Sequence, residues 1–466
     1  MSKAQVILFT LIAYKVALVA IGLWAQRRTR DNTDFFLGGR QLGPVVAAIS
    51  ASASSSSAWT LLGVSGFAFA FGISAVWLFP ATVGGFLINW LWVAPRLMPA
   101  ARDRGSITLP EFIASDNAAG PAVLRLSVVI ILFSFMFYVA AQFQAAGDAF
   151  ASTFDLPMHT AVLIGAAIVL FYTLLGGFWA VSVTDTLQGL LMALTSIILP
   201  VAALIAVGGF GDLLSGLAQS HDVVALSPTG KYTGIAALGF VIGLLGIGLG
   251  YPGQPHVVNR FMALRDDRAL ARARVIAIGW AVVVYAGMLL LGLCGRVLLG
   301  ELESGEQVFF VLSEQLFPPV IAGIMIAAVL SAIMSTADSQ LLVAASSVGY
   351  DWEVARGASR PDLLRTRIVV AVLSVAAVAV ALLAPETIFN RVLFAWHAVG
   401  SAFGPALLLR LGGFRLGARS LLASMLTGFV LTIVLYWRPD TPGDIAERLL
   451  PFLLALVIAR FGARRV

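Results

Sequence analysis

Runs of about 20 apolar residues alternate with short polar connections from one end of the chain to the other. A run of that length crosses the hydrocarbon core of a bilayer as an α-helix. The pattern predicts about thirteen helices, centred near residues 14, 57, 85, 135, 170, 194, 241, 284, 330, 375, 400, 428 and 453. No segment of about 50 residues is left over for a water-soluble domain, so residues 1–466 read as a single transmembrane domain. The first run, about residues 4–25, is too long for a signal-peptide core and lacks a small-residue cleavage site, so it reads as a retained span.

Two runs depart from ordinary spans. Residues 47–59 read AAISASASSSSAW, with four consecutive serines at Ser54, Ser55, Ser56 and Ser57. Residues 243–255 read GLLGIGLGYPGQP, with Gly243, Gly246, Gly248, Gly250, Gly253, Pro252 and Pro255. Interior glycine costs a helix about 1 kcal/mol and proline about 3 kcal/mol, so the second run is expected to break. Carbonyls freed inside a bilayer need protein, water or an ion as partner. The alternative is that small residues only allow close helix packing. The two runs fall on the second and seventh helices, five apart, as two inverted five-helix repeats would require, and paired interruptions of this kind point to a central binding site.

Composition agrees with the pattern: 59% of residues are hydrophobic and 12% charged, against about 25% charged in soluble domains. The net charge of +6 does not indicate nucleic acid, because the basic residues flank span ends. They cluster as Arg27, Arg28, Arg30 and Arg40; Arg96, Arg102 and Arg104; Arg260, Arg265, Arg268, Arg272 and Arg274; Arg356, Arg360, Arg365 and Arg367; Arg410, Arg415 and Arg419; and Arg460, Arg464 and Arg465. The intervening loops carry Asp155; Asp212, His221 and Asp222; and Glu301, Glu303 and Glu306. The positive-inside rule makes the basic side cytoplasmic, and an odd helix count then puts the N-terminus outside and the C-terminus inside. The single cysteine, Cys294, lies in an apolar run, which excludes a disulfide framework or thiolate metal site.

Acidic residues within spans are rare and costly. Asp185 falls near the start of the sixth helix and Asp338 well inside the ninth, in SAIMSTADSQLLVAAS. Ser335, Asp338 and Ser339 share a helix face through their i, i+3 and i+4 spacing. With Thr336 they form a hard oxygen set suited to an alkali or alkaline-earth cation rather than zinc or copper. The alternative has the hydroxyls bonding back to i−4 carbonyls and Asp338 pairing with a neighbouring helix; for Ser331 that reading is preferred. His397, beside Trp396, reads as a packed histidine, and His256, near Arg260, as interfacial. No HExxH, GxSxG or phosphate loop occurs, so the chain does not read as an enzyme.

The segments DFFLGGRQLGP (34–44), SASASSSSAW (50–59), TLPEF (108–112), YTLLGGFWAVSVTDTLQ (172–188), GLGYPGQPH (248–256) and IMSTADSQLL (333–342) resemble, in order and spacing, those of the sodium:solute symporters, and within them the sodium/proline branch. The resemblance covers nearly the whole chain. It implies an all-α polytopic membrane protein with a leucine-transporter-like core of two inverted five-helix repeats. The extra N-terminal helix would span about 4–25, the repeats about 43–207 and about 231–411, and the C-terminal helices about 417–462.

The same resemblance implies a sodium site at Ala53, Ser56, Ala332, Ser335 and Thr336, and a second sodium near Asp185, Asp338 and Ser339. It maps the solute contacts onto Ser57, Trp59, Tyr138, Tyr251 and Pro255. No cofactor is implied beyond Na+ as coupling ion; the partners are a small-molecule solute, Na+ and the lipid bilayer of the cell (inner) membrane, with no nucleic acid and no assigned oligomeric state. Two positions depart from the proline branch. Ser55 stands where that branch has an aspartate, for which Asp338 is a candidate replacement, and Ile247 stands where it has a tryptophan. The expected activity is sodium-coupled import of proline or another small amino acid. The alternatives are a proton-coupled carrier of the same fold, with Asp338 or Asp185 titrating, and a transporter-like sensor. The sensor is disfavoured because the chain stops at Val466 without a signalling domain, and a channel because no selectivity filter is evident.

Overall fold

The computed structural model describes residues 2–26, 37–175, 178–219, 225–357, 363–384 and 386–465. Arg27, Arg28, Arg30, Arg360, His221 and Asp222 lie outside these residues, as do positions 34–36 and 176–177 of two motifs and the side chains of Arg365 and Arg367. Each expected helix centre but one falls inside a helix; the exception, Ser57, falls on the interruption of its helix. Nine helical runs among the described residues are long and apolar enough to cross a membrane, and Pro44–Ser55, Met158–Phe171 and Ile368–Leu383 are shorter apolar helices. The run Trp59–Asp103 has 45 residues, about 68 Å if straight and so about twice the hydrocarbon thickness. It turns at Gly72 (φ 63°, ψ −142°), where a Cβ would lie 2.4 Å from the Ala225 carbonyl oxygen.

The helices that frame the site are α1 (Lys3–Gln26), α2 (Pro44–Ser55), α3 (Gly120–Phe154), α4 (Phe178–Val207), α5 (Gly234–Gly246), α6 (Pro255–Met262), α7 (Asp267–Leu298), α8 (Pro319–Ser346) and α9 (Ile388–Leu411). Burial separates centre from periphery. In the apolar windows of the helical run that opens with α8 and of α9, 83% and 89% of residues are buried, against 17% in α1. A helix apolar on every face must be buried in protein or face lipid. The polar serines and threonine of α8 put it inside, and the plain apolar surface of α1 puts that helix at the rim. One polar edge of α1 nevertheless faces inward: the Tyr14 hydroxyl bonds Ser331 Oγ, and the Lys15 ammonium contacts the Met334 sulfur.

The two ends of the bundle differ as the loop charges predict. At the basic end, Arg40 donates to the Ser106 carbonyl at 2.8 Å, Arg102 to the Arg265 carbonyl at 2.7 Å, and Arg410 to the Ser115 carbonyl at 2.7 Å. A short ribbon, β1 (Phe414–Leu416) with β2 (Ala463–Arg465), closes the same end. At the other end, the Glu306 carboxylate accepts from the backbone N–H groups of Phe389 (2.9 Å) and Ile388 (3.2 Å), at the start of α9. An anion belongs at a helix N-terminus because the first amides have no intrahelical acceptor. In TLPEF, Thr108 caps its helix by accepting from the Glu111 N–H at 3.1 Å, while Glu111 accepts from the Ile107 N–H at 2.6 Å, in the manner of a capping box.

A candidate ion and solute site at two helix breaks

The serine run ends α2 by competing for its own backbone. Ser52 Oγ donates to the Ala48 carbonyl at 2.8 Å and Ser55 Oγ to the Ser52 carbonyl at 2.9 Å, the local back-bonding that weakens helix interiors. Ser56 leaves helical geometry (φ −117°, ψ 36°), and the chain resumes at Ala58 with a wide turn over Trp59–Gly63. The glycine run breaks differently. α5 passes into a tight 3₁₀ stretch, Ile247–Gly253, Gln254 is extended (φ −86°, ψ 104°), and α6 begins at Pro255. Both sequence readings of this run apply, since its glycines also permit close packing. A Cβ on Gly250 would lie 2.1 Å from Trp396 Nε1, and one on Gly253 2.6 Å from the Gly400 carbonyl oxygen.

At the first break the Ala53 carbonyl faces α8. Ser335 Oγ donates to it at 3.3 Å and Thr336 Oγ1 at 3.4 Å; Thr336 Oγ1 also donates to the Ser54 carbonyl at 3.1 Å, and Ser335 Oγ to the Ala332 carbonyl at 3.2 Å. Four of the five expected sodium ligands are therefore adjacent: Ala53, Ala332, Ser335 and Thr336. Ser56 differs. Its N–H donates to the Ala53 carbonyl, while its hydroxyl turns to Tyr285 at 3.2 Å.

One helical turn along α8 lies a charged cluster. Asp185 Oδ2 accepts from Ser50 Oγ (2.9 Å), Ser54 Oγ (3.2 Å), Ser339 Oγ (3.5 Å) and Arg260 Nη2 (2.9 Å). Ser54 joins the two groups, since its hydroxyl also meets Ser339 Oγ at 3.0 Å and the Ser335 carbonyl at 3.3 Å. Asp338 is fully buried, and neither of its carboxylate oxygens has hydrogen-bond geometry with a partner among the described residues. It feels Arg260 and Lys15 as opposite charges and Asp185 as a like charge.

This cluster corrects two sequence readings. Arg260 is not a loop arginine but 1% exposed, and His256 is not interfacial but fully buried. The reason is the shortness of α6: its eight residues carry Arg260 only two turns past the break, so the side chain points back into the bundle against α2, α4 and α8. Lys15, a single charge in the middle of an apolar run, is itself a signal of buried polar chemistry.

On the other side of the first break is an aromatic enclosure. Tyr138 OH donates to Ser57 Oγ at 3.5 Å. Tyr251 OH lies 3.1 Å from Tyr285 OH, which also accepts from Thr60 Oγ1 at 3.3 Å. Trp396 stands edge-on to Tyr251, 4.7 Å between ring centroids, and its indole N–H donates to the Ile247 carbonyl at 3.2 Å. Trp59 packs on Phe389 at 5.5 Å. Ser57, Trp59, Tyr138 and Tyr251 thus belong to one packed cluster, with Pro255 buried beyond it at the first turn of α6. Tyr285, Gln142 and Trp396 complete it and were not in the expected set. Tyr285 and Gln142 are isolated polar residues on helices that otherwise read as core. Gln142 Oε1 accepts the Ala58 N–H at 3.1 Å, while Gln142 Nε2 and Trp59 Nε1 are buried N–H donors with no partner among the described residues. His397 is buried in α9, in keeping with a packed residue.

Two interrupted helices meeting inside a helical bundle, with ion-type oxygens on one side and an aromatic enclosure on the other, define a membrane transporter of the leucine-transporter-like fold. The sodium:solute symporter family model matches residues 35–428, and the chain belongs to that family. It is 37% identical over 454 residues to the high-affinity proline transporter PutP of Bacillus subtilis (strain 168), covering 95% of this chain and 94% of that protein. It is equally 37% identical over 454 residues to the sodium/proline symporter of Escherichia coli (strain K12), covering 94% and 89%. Among solved structures, a Na+-coupled sialic acid symporter in its substrate-bound outward-open state superposes with a TM-score of 0.81 at 17% identity over 99% of each chain. The nucleobase-cation-symport-1 transporter Mhp1 gives 0.55 at 14% identity over 93% and 96%. These two likenesses speak for the fold alone.

Proposed function

We propose that this protein is a sodium-coupled secondary active symporter that imports proline or another small amino acid through the cell membrane, with its N-terminus outside and its C-terminus in the cytoplasm. The observation that carries the reading is the Ala53 carbonyl, which at the α2 break keeps only the Ser56 N–H from its own segment and is met by the Ser335 and Thr336 hydroxyls of α8. Those hydrogen bonds are long and weak, so a sodium ion taking the same oxygens loses little in displacing them and ties α2 to α8. Ala332 and the Ser56 backbone complete the ion's ligands. Asp338, nearby and without a hydrogen bond of its own, supplies the negative charge that Ser55 lacks.

The solute lies against Ser57, Trp59, Tyr138 and Tyr251, near Pro255. Its carboxylate is received at the start of the helical segment after the break, where the helix dipole favours an anion. The unpartnered Trp59 and Gln142 N–H groups stand ready as donors there. Trp396 supplies the aromatic wall on the side of Ile247. Residues about 43–207 and about 231–411 act as two repeats that rock around this site. Sodium and solute help each other bind because both favour the arrangement in which the α2 break is held against its neighbours.

Uptake of radiolabelled proline and a panel of amino acids into proteoliposomes tests the reading. Accumulation driven by an inward sodium gradient is expected, with proline among the solutes. Accumulation driven by a proton gradient alone would transfer the coupling to Asp338, a reading favoured by its two unpartnered carboxylate oxygens. Saturable binding without transport of any solute would overturn both.

A further inference from the structure

The cluster beside the proposed sodium site contains the elements of a second cation site. Ser50 Oγ, Ser54 Oγ, Asp185 Oδ2 and Ser339 Oγ, from three different helices, converge on a small volume, and all four residues are buried. A carboxylate with three hydroxyls is a set of hard oxygens of the kind that binds an alkali cation. In this chain the convergence already holds a cation. Arg260 Nη2 lies 2.9 Å from Asp185 Oδ2 and 2.6 Å from Ser339 Oγ, and Arg260 Nε lies 3.1 Å from Ser50 Oγ. The remaining guanidinium nitrogen donates to the His256 carbonyl, and the face of the group lies on the Phe178 ring, 5.3 Å from its centroid.

A guanidinium that donates to the carboxylate and to two of the hydroxyls, with its face covered by a ring, is bonded around most of its edge. A sodium ion could take Asp185 Oδ2 and Ser339 Oγ together only by displacing it. Buried arginine does not lose its proton to make room, and removing it would leave a bare carboxylate in the bundle, at a cost of several kcal/mol.

We propose that Arg260 is the resident cation of this second oxygen cluster, so that each chain binds one sodium ion, at Ala53, Ser335 and Thr336, and not two. The inference rests on the sodium-symport reading and narrows it, since Asp185 and Ser339 then bind a tethered charge instead of a travelling one. The arrangement has a mechanical consequence. The tethered cation belongs to α6, directly after the second break, and it grips α2 just before the first break together with α4 and α8. Both interrupted helices are thereby joined on one side of the ion site. Ser54, which contacts Asp185, Ser339 and the Ser335 carbonyl, relays sodium binding at Ala53 and Ser335 to that junction.

The test is equilibrium binding of radioactive sodium to the purified full-length protein, alongside the sodium dependence of solute uptake. Wild type is expected to bind one sodium ion per chain and to show a hyperbolic sodium dependence, with a Hill coefficient near 1. Arg260→Gln, which vacates the cluster without removing its oxygens, is expected to gain a second bound ion. Arg260→Lys, which keeps a tethered charge, is expected to stay at one. Two ions per wild-type chain would overturn the inference while leaving sodium coupling intact. So would an Arg260→Gln protein that folds, transports and still binds one. Wild type with intact solute binding and no bound sodium would overturn the coupling reading itself, and this inference with it. If Arg260→Gln does not fold, the wild-type count alone decides.

Discussion

Two oxygen clusters lie one helical turn apart on α8, and they solve the problem of buried polarity in opposite ways. The cluster at Ala53, Ser335 and Thr336 is built of neutral groups joined by hydrogen bonds of 3.1–3.4 Å. The cluster at Asp185, Ser339 and Arg260 is charged, with bonds of 2.6–2.9 Å to the guanidinium. The first gives up its internal bonds at little cost and suits an ion that must come and go. The second resists opening, because separating either charge strands the other in a low-dielectric interior. On the proposed reading, a site that must release its cation uses hydroxyls and carbonyls, and a site that must hold its cation attaches it covalently to the chain.

Removing one charge from the tight cluster is expected to have the largest effect. Asp185→Asn leaves Arg260 buried without its hydrogen-bonded counter-ion, which costs about 3–5 kcal/mol. The detergent-purified variant should unfold at clearly lower temperature and lose transport; an unchanged melting temperature would show that the two clusters do not differ in the way argued. Next comes the loose cluster. Ser335→Ala and Thr336→Ala should each raise the sodium concentration for half-maximal uptake about tenfold, about 1.4 kcal/mol apiece, with little change in folding. A rise in the solute KM at unchanged sodium dependence would move the ion elsewhere.

Asp338 sharpens the comparison, because it lies on the same buried stretch of α8 and its carboxylate oxygens have no partner of hydrogen-bond geometry among the described residues. Asp338→Asn should weaken sodium binding several-fold, and unchanged sodium dependence would refute its role as the charge that Ser55 lacks. Lys15→Met and Asp338→Asn should be non-additive, with a coupling of about 0.5 kcal/mol or more in a double-mutant cycle of melting temperatures; strict additivity would mean that α1 is electrostatically independent of α8. Thr108→Ala acts on folding: it removes a helix cap and the hydrogen bond that the hydroxyl donates to buried Asp351 at 2.6 Å, and should lower the melting temperature by the equivalent of at least about 1 kcal/mol without altering sodium dependence.

Much of this arrangement was legible in the sequence. The helical segments follow from apolar runs, and both interruptions from local chemistry: hydroxyls that bond their own backbone at Ser52 and Ser55, and glycine with proline at residues 246–255. Ser335, Thr336 and Ser339 announce themselves as hydroxyls on a helix that has no water to face. Lys15 was equally visible as a lone charge in an apolar run. Arg260 was not. It sits within a string of arginines that flank span ends, and counting charges along the chain cannot tell one that reaches water from one that turns inward.

What the sequence determined by itself was therefore every property that depends on neighbours in the chain: helix positions, the two breaks, the alternation of basic and acidic ends, and the row of hydroxyls along α8. Tertiary structure alone decided which oxygens share a cation and which cation they hold. Asp185 and Arg260 are 75 residues apart, and Ser54 and Ser339 are 285 apart. Their meeting depends on how α2, α4, α6 and α8 cross, a matter of packing shape that no local pattern encodes. The short reach of α6 then turns an arginine that reads as a topology signal into the counter-ion of a buried carboxylate.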